Sequence, residues 1–450
     1  MKKITKNFSS LLIKLGFKKP TEEEKHPKEL LILAICGMGL RFSFWGVGNL
    51  LVLYLIESLQ LKPSQATHIY GMFTGFAAFL PLAGGFVADR WNYHSPLFLG
   101  IIATTIGCFL LCFHNLIIIY IALMIIACGY GIFVPSIFAI LNHVYKDKNK
   151  IREVGFTLYY STFNIGVFLA MIILGYVGHA YGWNIAFFIA GISQLLTLIA
   201  VFYYYKKYHI HYTNLHPTEK KEKEQTNIKM QKYEKDRMIV ILIITLSTLF
   251  FWTAYTQGWS SMSIITLKYT NREFFNFEIP AAWILSFESL FLIILSPLMA
   301  KLYGYLKNLH KNPSPSMKAA YSLFATALCF FIMVIACLKL PNGANWGVIN
   351  PIYLILSYFV LAIAELLIGP ISISLVTQLS PKRLTALLVG FLYVTAGISY
   401  YLGGLLAGLI QYMSSKASFF MIFVLLCAIP ATVLLLFTKK LNKMRHMDML

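Results

Sequence analysis

Three ionisable residues stand where ionisable residues are expensive. Arg41, Glu288 and Glu365 each lie well inside a long apolar run of this chain. A charge at bilayer depth is costly, so it is usually kept for a function. The three fall in the first, eighth and tenth apolar runs. A structural ion pair that fixes helix packing would account for one acid and one base, but one arginine and two glutamates do not balance. The remaining carboxyl must take a proton, meet a cation or face water. Proton uptake is a natural role for it. Arg41 in turn has the planar fork that grips a carboxylate through two parallel hydrogen bonds.

Other side chains invite chemical readings. Tyr160 and Asn164 are four residues apart, so they share a helix face that lines a cavity or glues two helices together. Asp89 and Arg90 close the second apolar run as an acid and a base at a helix end, which suits a gating latch; Asp89 opposes the basic trend of that side of the membrane. His209, His211 and His216 match no established metal spacing and read as part of a solvated linker. The seven cysteines, Cys36, Cys108, Cys112, Cys128, Cys329, Cys337 and Cys427, all fall in apolar runs. None sits in an external loop, so no disulfide framework is expected. There is no His-Glu-x-x-His motif and no phosphate-binding glycine loop, which argues against an enzyme or an ATP-driven pump. No cofactor or metal is implied.

The elements that position these residues are membrane helices. The 450 residues are 58% apolar and only 12% charged, about half the charge of a soluble domain. Many runs reach the roughly 20 apolar residues that cross a bilayer. Twelve spans are predicted, at about 30–56, 64–88, 97–114, 116–141, 154–179, 184–205, 238–266, 280–306, 317–338, 350–378, 385–412 and 417–438. The expected fold class is an all-α membrane protein of twelve transmembrane helices in two six-helix halves. Residues 1–29 form an N-terminal tail, 30–205 the first half, 206–237 a charged linker, 238–438 the second half and 439–450 a C-terminal tail. Paired six-helix halves commonly enclose a solute site near the midplane.

The net charge of +20 follows this topology rather than a nucleic-acid footprint. Lys62, Lys268, Arg272, Lys339 and Lys416 lie on one set of loops, and nearly all other Lys and Arg lie on the tails and the opposite loops. Basic residues favour the cytoplasmic side, so both termini and the linker are expected there. A nucleic-acid binder would carry one contiguous basic face. The basic N-terminus has no small-residue cleavage site and is expected to lie on the cytoplasmic membrane surface.

Several blocks in order carry a resemblance. They are RFSFWGVGNLLVLYL, LPLAGGFVADR, GFTLYYSTFNIGVF with the Gly182–Trp183 pair, FFWTAYTQGWSSMS, and AELLIGPISISLVTQLSPKR. From about residue 29 to 437 the chain resembles the proton-dependent oligopeptide transporters of the major facilitator superfamily, as a divergent member. The resemblance implies the major facilitator fold, alternating access, and a small-solute substrate with protons and the lipid bilayer as further partners. It carries Tyr160, Asn164 and Glu365 over directly. Phe44 and Trp45 stand where the family has an aromatic pair after the arginine of its first helix. Trp252 and Gln257 belong to the seventh-span block. With Arg41 and Glu288, these residues form the expected substrate site. Glu288 and Glu365 are the expected proton carriers, and Asp89 and Arg90 the expected gate.

The departures are as informative. The acidic positions of the family's first-helix motif are Gly37 and Leu40 here, and its second arginine is Gly48. The substrate-facing tyrosine of span two is Ala78, and the lysine before Pro135 is Val134. The seventh-span acid is Thr256, the eighth-span asparagine is Glu288, and the eleventh-span tryptophan is Leu392. The linker is too short for the two extra helices of longer members. Groups that would hold a peptide backbone have thinned out, while the acidic pole is stronger than usual. The resemblance thus implies a secondary transporter of di- or tripeptides or a related amino-bearing solute, by symport with protons, in the cell (inner or plasma) membrane. A facilitator of a non-peptide solute without proton coupling, or a sensor on the same fold that has lost transport, remains the alternative. A label attached to a tagged 206–237 linker is expected to react only after intact cells are permeabilised; labelling from outside would refute the topology.

Overall fold

The structure is a computed structural model and describes residues 26–90, 94–146, 149–212, 231–309, 313–340, 347–381 and 384–446. The helices are α1 (Glu29–Glu57), α2 (Pro63–Arg90), α3 (His94–Leu110), α4 (Leu116–Val144), α5 (Asn149–Tyr181), α6 (Trp183–Tyr212), α7 (Lys232–Tyr255), α8 (Ser261–Tyr269), α9 (Ala281–Leu285), α10 (Phe287–Asn308), α11 (Pro315–Leu338), α12 (Ile352–Leu379), α13 (Thr385–Gly408) and α14 (Lys416–Met444). A short hairpin, β1 (Glu273–Phe274) with β2 (Phe277–Glu278), joins α8 to α9. Backbone groups in lipid must bond within their own segment, and the apolar runs therefore become helices whatever their side chains.

Among the described residues, eleven helical spans are long and apolar enough to cross a membrane. The third expected span is the exception. Its helix α3 has 17 residues, about 26 Å at 1.5 Å per residue, slightly under a hydrocarbon core of roughly 30 Å. It packs along α4 and α6 as the twelfth apolar helix. At the linker, α6 runs on to Tyr212 and α7 starts at Lys232, so both ends of the expected 206–237 segment are helical. His209 and His211 ride on the end of α6, while His216 lies outside the described residues. The N-terminal tail also falls outside them up to residue 25.

Two spans expected to be continuous are interrupted. Span seven is α7, a 3₁₀ turn over Thr256–Gly258, and α8. Span eight is α9 and α10, parted at Ser286. A helix break at membrane depth frees backbone carbonyls that need donors, and neighbouring hydroxyls supply them. Ser260 Oγ donates to Thr256 O at 2.7 Å, Ser261 Oγ to Gln257 O at 3.4 Å, and Tyr358 OH on α12 to Gly258 O at 2.8 Å. The signal was present in the sequence as the run Gln257-Gly258-Trp259-Ser260-Ser261, but apolar window averages do not register it.

The first six helices pack mainly on one another, and so do the later ones. Two seams join the sets: α2 against α13, and α5 against α9 and α10. The α2–α13 seam is closest at Gly71 and Gly404. A Cβ on Gly404 would come within 2.4 Å of the Gly71 backbone, so small residues are a steric requirement there. At the end opposite the termini, Ser64 N donates to Gln411 Oε1 at 3.1 Å. Replacing Gly404 by alanine should destabilise the protein by about 1–3 kcal/mol through overpacking, read as a lower midpoint in thermal unfolding of the detergent-solubilised protein.

Candidate functional site

Between the two seams, partly exposed side chains from both sets of helices, Arg41, Tyr160 and Glu365 among them, line a cleft. Arg41 points into it from the middle of α1 and is half-buried. Its guanidinium lies over the Phe163 ring of α5 at 4.4 Å, with Tyr130 of α4 and Trp45 at 5.7 and 5.8 Å. Cation–π contacts of this kind stabilise by about 0.5–2 kcal/mol. They hold the arginine without using up its hydrogen-bond donors. No carboxylate lies within ion-pair distance of Arg41 among the described residues, so the fork is free to meet an anion.

The opposite wall is acidic. Glu288, in the first turn of α10, is 1% exposed. Glu365, in the middle of α12, is half-buried and open to the cleft. Tyr255, the last residue of α7, stands between them. Its hydroxyl is 2.8 Å from Glu288 Oε1 and 2.9 Å from Glu365 Oε2. Ser289 Oγ donates to the other Glu288 oxygen at 3.3 Å. Tyr160, on α5 across the cleft, is 40% exposed and donates to Glu365 Oε1 at 3.3 Å. One hydrogen bond thus links the two sets of helices directly at the site.

Proton counting constrains this cluster. A phenol carries a single hydrogen, and Tyr255 can donate it to only one carboxylate. The other short contact is a hydrogen bond only when that carboxyl carries a proton and donates it to the phenol oxygen. Two carboxylates bearing full charge on one hydroxyl would also repel strongly away from water. The arrangement therefore suits one proton held between two acids, with Arg41 as the nearest opposing charge.

The expected site residues divide by geometry. Arg41, Tyr160, Glu288 and Glu365 come together, with Asn164 one turn further along α5 and 9% exposed. Trp45 borders the cleft, and its buried indole Nε1 has no hydrogen-bond partner among the described residues. Trp252 is half-buried and packs edge-on to Tyr255 at 5.3 Å and to Tyr400 at 5.8 Å. Besides Glu288, two more residues of the expected substrate site are sealed from the cleft. Phe44 is 1% exposed and stacks on Tyr130 with ring centroids 3.8 Å apart. Gln257 is fully buried, and its amide is used internally: Nε2 donates to Gly403 O at 2.9 Å and Oε1 accepts from Ser261 Oγ at 2.9 Å. It splices the 3₁₀ break to α13. At the expected gate, Arg90 is exposed, with its guanidinium over the Phe86 ring at 4.1 Å. The side chain of Asp89 lies outside the described residues.

Tyr255 was missed by sequence reasoning, as were Tyr130 and Phe163, which cover Arg41. Within a block so rich in aromatics, nothing local separates a tyrosine that bridges two acids from one that packs. The usable signal was indirect: Tyr255 immediately precedes the helix-breaking Thr256–Gly258 turn.

Comparison with known proteins adds the family. The profile described as Major Facilitator Superfamily matches residues 33–349. The peptide transporter YePEPT of Yersinia enterocolitica is 26% identical, the alignment covering 85% of this chain and 88% of that protein. Dipeptide and tripeptide permease A of Escherichia coli is 23% identical over 87% of each chain. The crystal structure of peptide transporter POT in complex with sulfate superposes with a TM-score of 0.83 at 21% identity, covering 93% of this chain and 96% of that one. A POT family transporter in complex with 5-aminolevulinic acid superposes with a TM-score of 0.80 at 19% identity, covering 92% and 97%.

Tyr255→Phe removes the hydroxyl that bridges Glu288 and Glu365. It should cost about 1.5–3 kcal/mol, the range for hydrogen bonds to charged groups. Tyr160→Phe, whose bond is longer and more exposed, should cost less. Thermal unfolding of the two variants side by side checks the order.

Proposed function

The chain belongs to the major facilitator superfamily, and on that premise we propose that it carries di- or tripeptides, or a related amino-bearing small solute, by alternating access with protons as the coupling ion. The observation that carries this reading is the polarity of the cleft. Arg41 stands unpaired on one wall, and the Glu365–Tyr255–Glu288 cluster on the other. A solute with a carboxylate at one end and an ammonium at the other spans that gap. The carboxylate takes two parallel hydrogen bonds from Arg41. The ammonium meets Glu365, the acid that is open to the cleft, while Glu288 behind Tyr255 keeps the proton. Aromatic walls at Trp45, Tyr130 and Trp252 cover the apolar middle of such a solute.

Coupling follows from the same cluster. With a proton held between the acids, the site carries one negative and one positive charge and matches a zwitterion. The solute's carboxylate also neutralises Arg41, the positive charge that otherwise favours a second ionised acid, and this outweighs the competition between ammonium and proton for the acidic pole. Proton and solute therefore favour each other's binding, which is the linkage a symporter needs. Residues 30–205 and 238–438 act as the two rocking halves, joined through the 206–237 linker. The Tyr160–Glu365 bond is a contact between them that solute binding would rearrange. Asp89 and Arg90 act at the end of α2 on the side of the termini. The chain is a multi-pass membrane protein; we place it in the cell (inner or plasma) membrane with both termini cytoplasmic. The names of the relatives, peptide transporter and dipeptide and tripeptide permease, support the solute class.

In liposomes, the purified protein should accumulate a labelled dipeptide when the outside is made acidic. Glu288→Gln and Glu365→Gln should each abolish accumulation, with exchange down the solute gradient surviving in one of them. Equilibration without accumulation, insensitive to an imposed pH gradient, would instead mark a facilitator. No uptake of any peptide or amine, with no thermal shift on adding them, would mark a sensor.

A further inference from the structure

The hairpin between α8 and α9 has features that neither solute binding nor coupling uses. Its sequence from Glu273 to Glu278 puts three phenylalanines around one asparagine. Phe274, Phe275 and Phe277 are 62%, 90% and 43% exposed. Phe275 and Asn276 form the two-residue turn with φ of +47° and +62°. Such turns favour asparagine or glycine, because a side chain at positive φ crowds its own backbone. Asn276 meets that preference and Phe275 does not. The most exposed ring of the hairpin is thus held at its tip against the preference of the turn.

The hairpin is firmly mounted. Arg272 is 3% exposed; its Nη2 pairs with Glu278 Oε1 at 2.8 Å and its Nη1 donates to Ile279 O at 2.9 Å. Ile279 N returns a hydrogen bond to Arg272 O at 2.8 Å. The aromatic surface also continues sideways. Phe277 lies 5.9 Å from the Trp283 ring, Trp283 lies 6.0 Å from Tyr176, and Tyr176 lies 6.2 Å from Tyr181, which is 65% exposed. Trp283 Nε1 donates to Ile172 O on α5 at 3.0 Å. This run of rings crosses the α5–α9 seam at the level where α5 ends, α8 ends and α9 begins. Membrane helices end near the boundary between lipid and water, and aromatic rings concentrate there.

We propose that residues 273–278 form a membrane-interface anchor, whose partner is the phospholipid layer of the same bilayer on the face opposite the termini. The tip rings sit at the boundary between headgroups and acyl chains, and Glu273 and Glu278 keep the base of the hairpin in water. Lipid is favoured over a protein partner because the surface is continuous with the emerging ends of membrane helices. The tip, from Phe274 to Phe277, carries no charge that a specific protein surface would pair. Anchored there, the hairpin holds the far end of the α5–α9 seam at constant depth.

The test needs no solute, so it stands or falls apart from the transport reading. Phe275→Trp keeps an aromatic ring at the tip and adds a reporter to the seven native tryptophans. The protein is reconstituted in phosphatidylcholine liposomes, with or without chains brominated near the headgroup, and the emission of the unmodified protein is subtracted. Most of the added emission should be quenched by brominated lipid and spared by iodide in the aqueous phase. Phe274→Trp, read the same way, guards against a local misfold of one variant. Quenching by iodide but not by lipid would put the tip in water and overturn the proposal. Protection from both quenchers would mean that a protein covers the tip, and would overturn it as well.

Discussion

Two carboxyl groups share one tyrosine hydroxyl inside a membrane protein, and much of the surrounding structure follows from making that tolerable. Glu288 is nearly sealed from solvent and Glu365 is open on one side. Neither has a basic partner within ion-pair distance among the described residues. Tyr255, Ser289 and Tyr160 therefore supply the hydrogen bonds that water would otherwise make. In a low-dielectric setting such a network is stable only when its donors and acceptors match in number. A single proton decides whether they match. That makes the cluster sensitive to protonation in a way that a balanced arginine–glutamate pair would not be.

The helix breaks belong to the same logic. Tyr255 ends α7 and Glu288 lies in the first turn of α10, so each sits beside an interruption. An unbroken helix would carry the chain past the site on a fixed 3.6-residue period. The break gives local freedom to aim the tyrosine between two acids on two other helices. The carbonyls released at Thr256–Gly258 are taken up by Ser260, Ser261 and Tyr358, and Gln257 ties the turn to α13. Residues that look like candidate ligands in one dimension are here the means by which an irregular backbone survives in lipid.

The departures from the oligopeptide transporter pattern also become intelligible as a set. At Gly37, one of the positions where the family's first-helix motif is acidic, a Cβ would come within 2.7–2.9 Å of Phe163 and Tyr159. Those aromatic neighbours fill the space beside Arg41, so the arginine is steadied by rings instead of carboxylates. Acidity has moved to the other wall, to Glu288 beside Glu365. The cleft keeps a positive and a negative pole, with a different division of labour between helices.

The helical class, the spans and the three deep charges were legible in the sequence because bilayer thickness and the cost of a buried charge act on each segment alone. The resemblance then placed Arg41, Tyr160 and Glu365 on a common site, and the cleft brings them together. What the chain order did not reveal depends on contacts between distant segments. Phe44 is packed away under Tyr130, and Gln257 is consumed by a backbone splice, although both have residue types suited to binding. Tyr255 looks like one aromatic among many until α10 and α12 bring an acid to each side of it. The short α3 and the interruption at Ser286 also escape apolar averages. Residue type and spacing determine what each helix must be, and only tertiary packing decides which polar groups are left over for a solute and a proton.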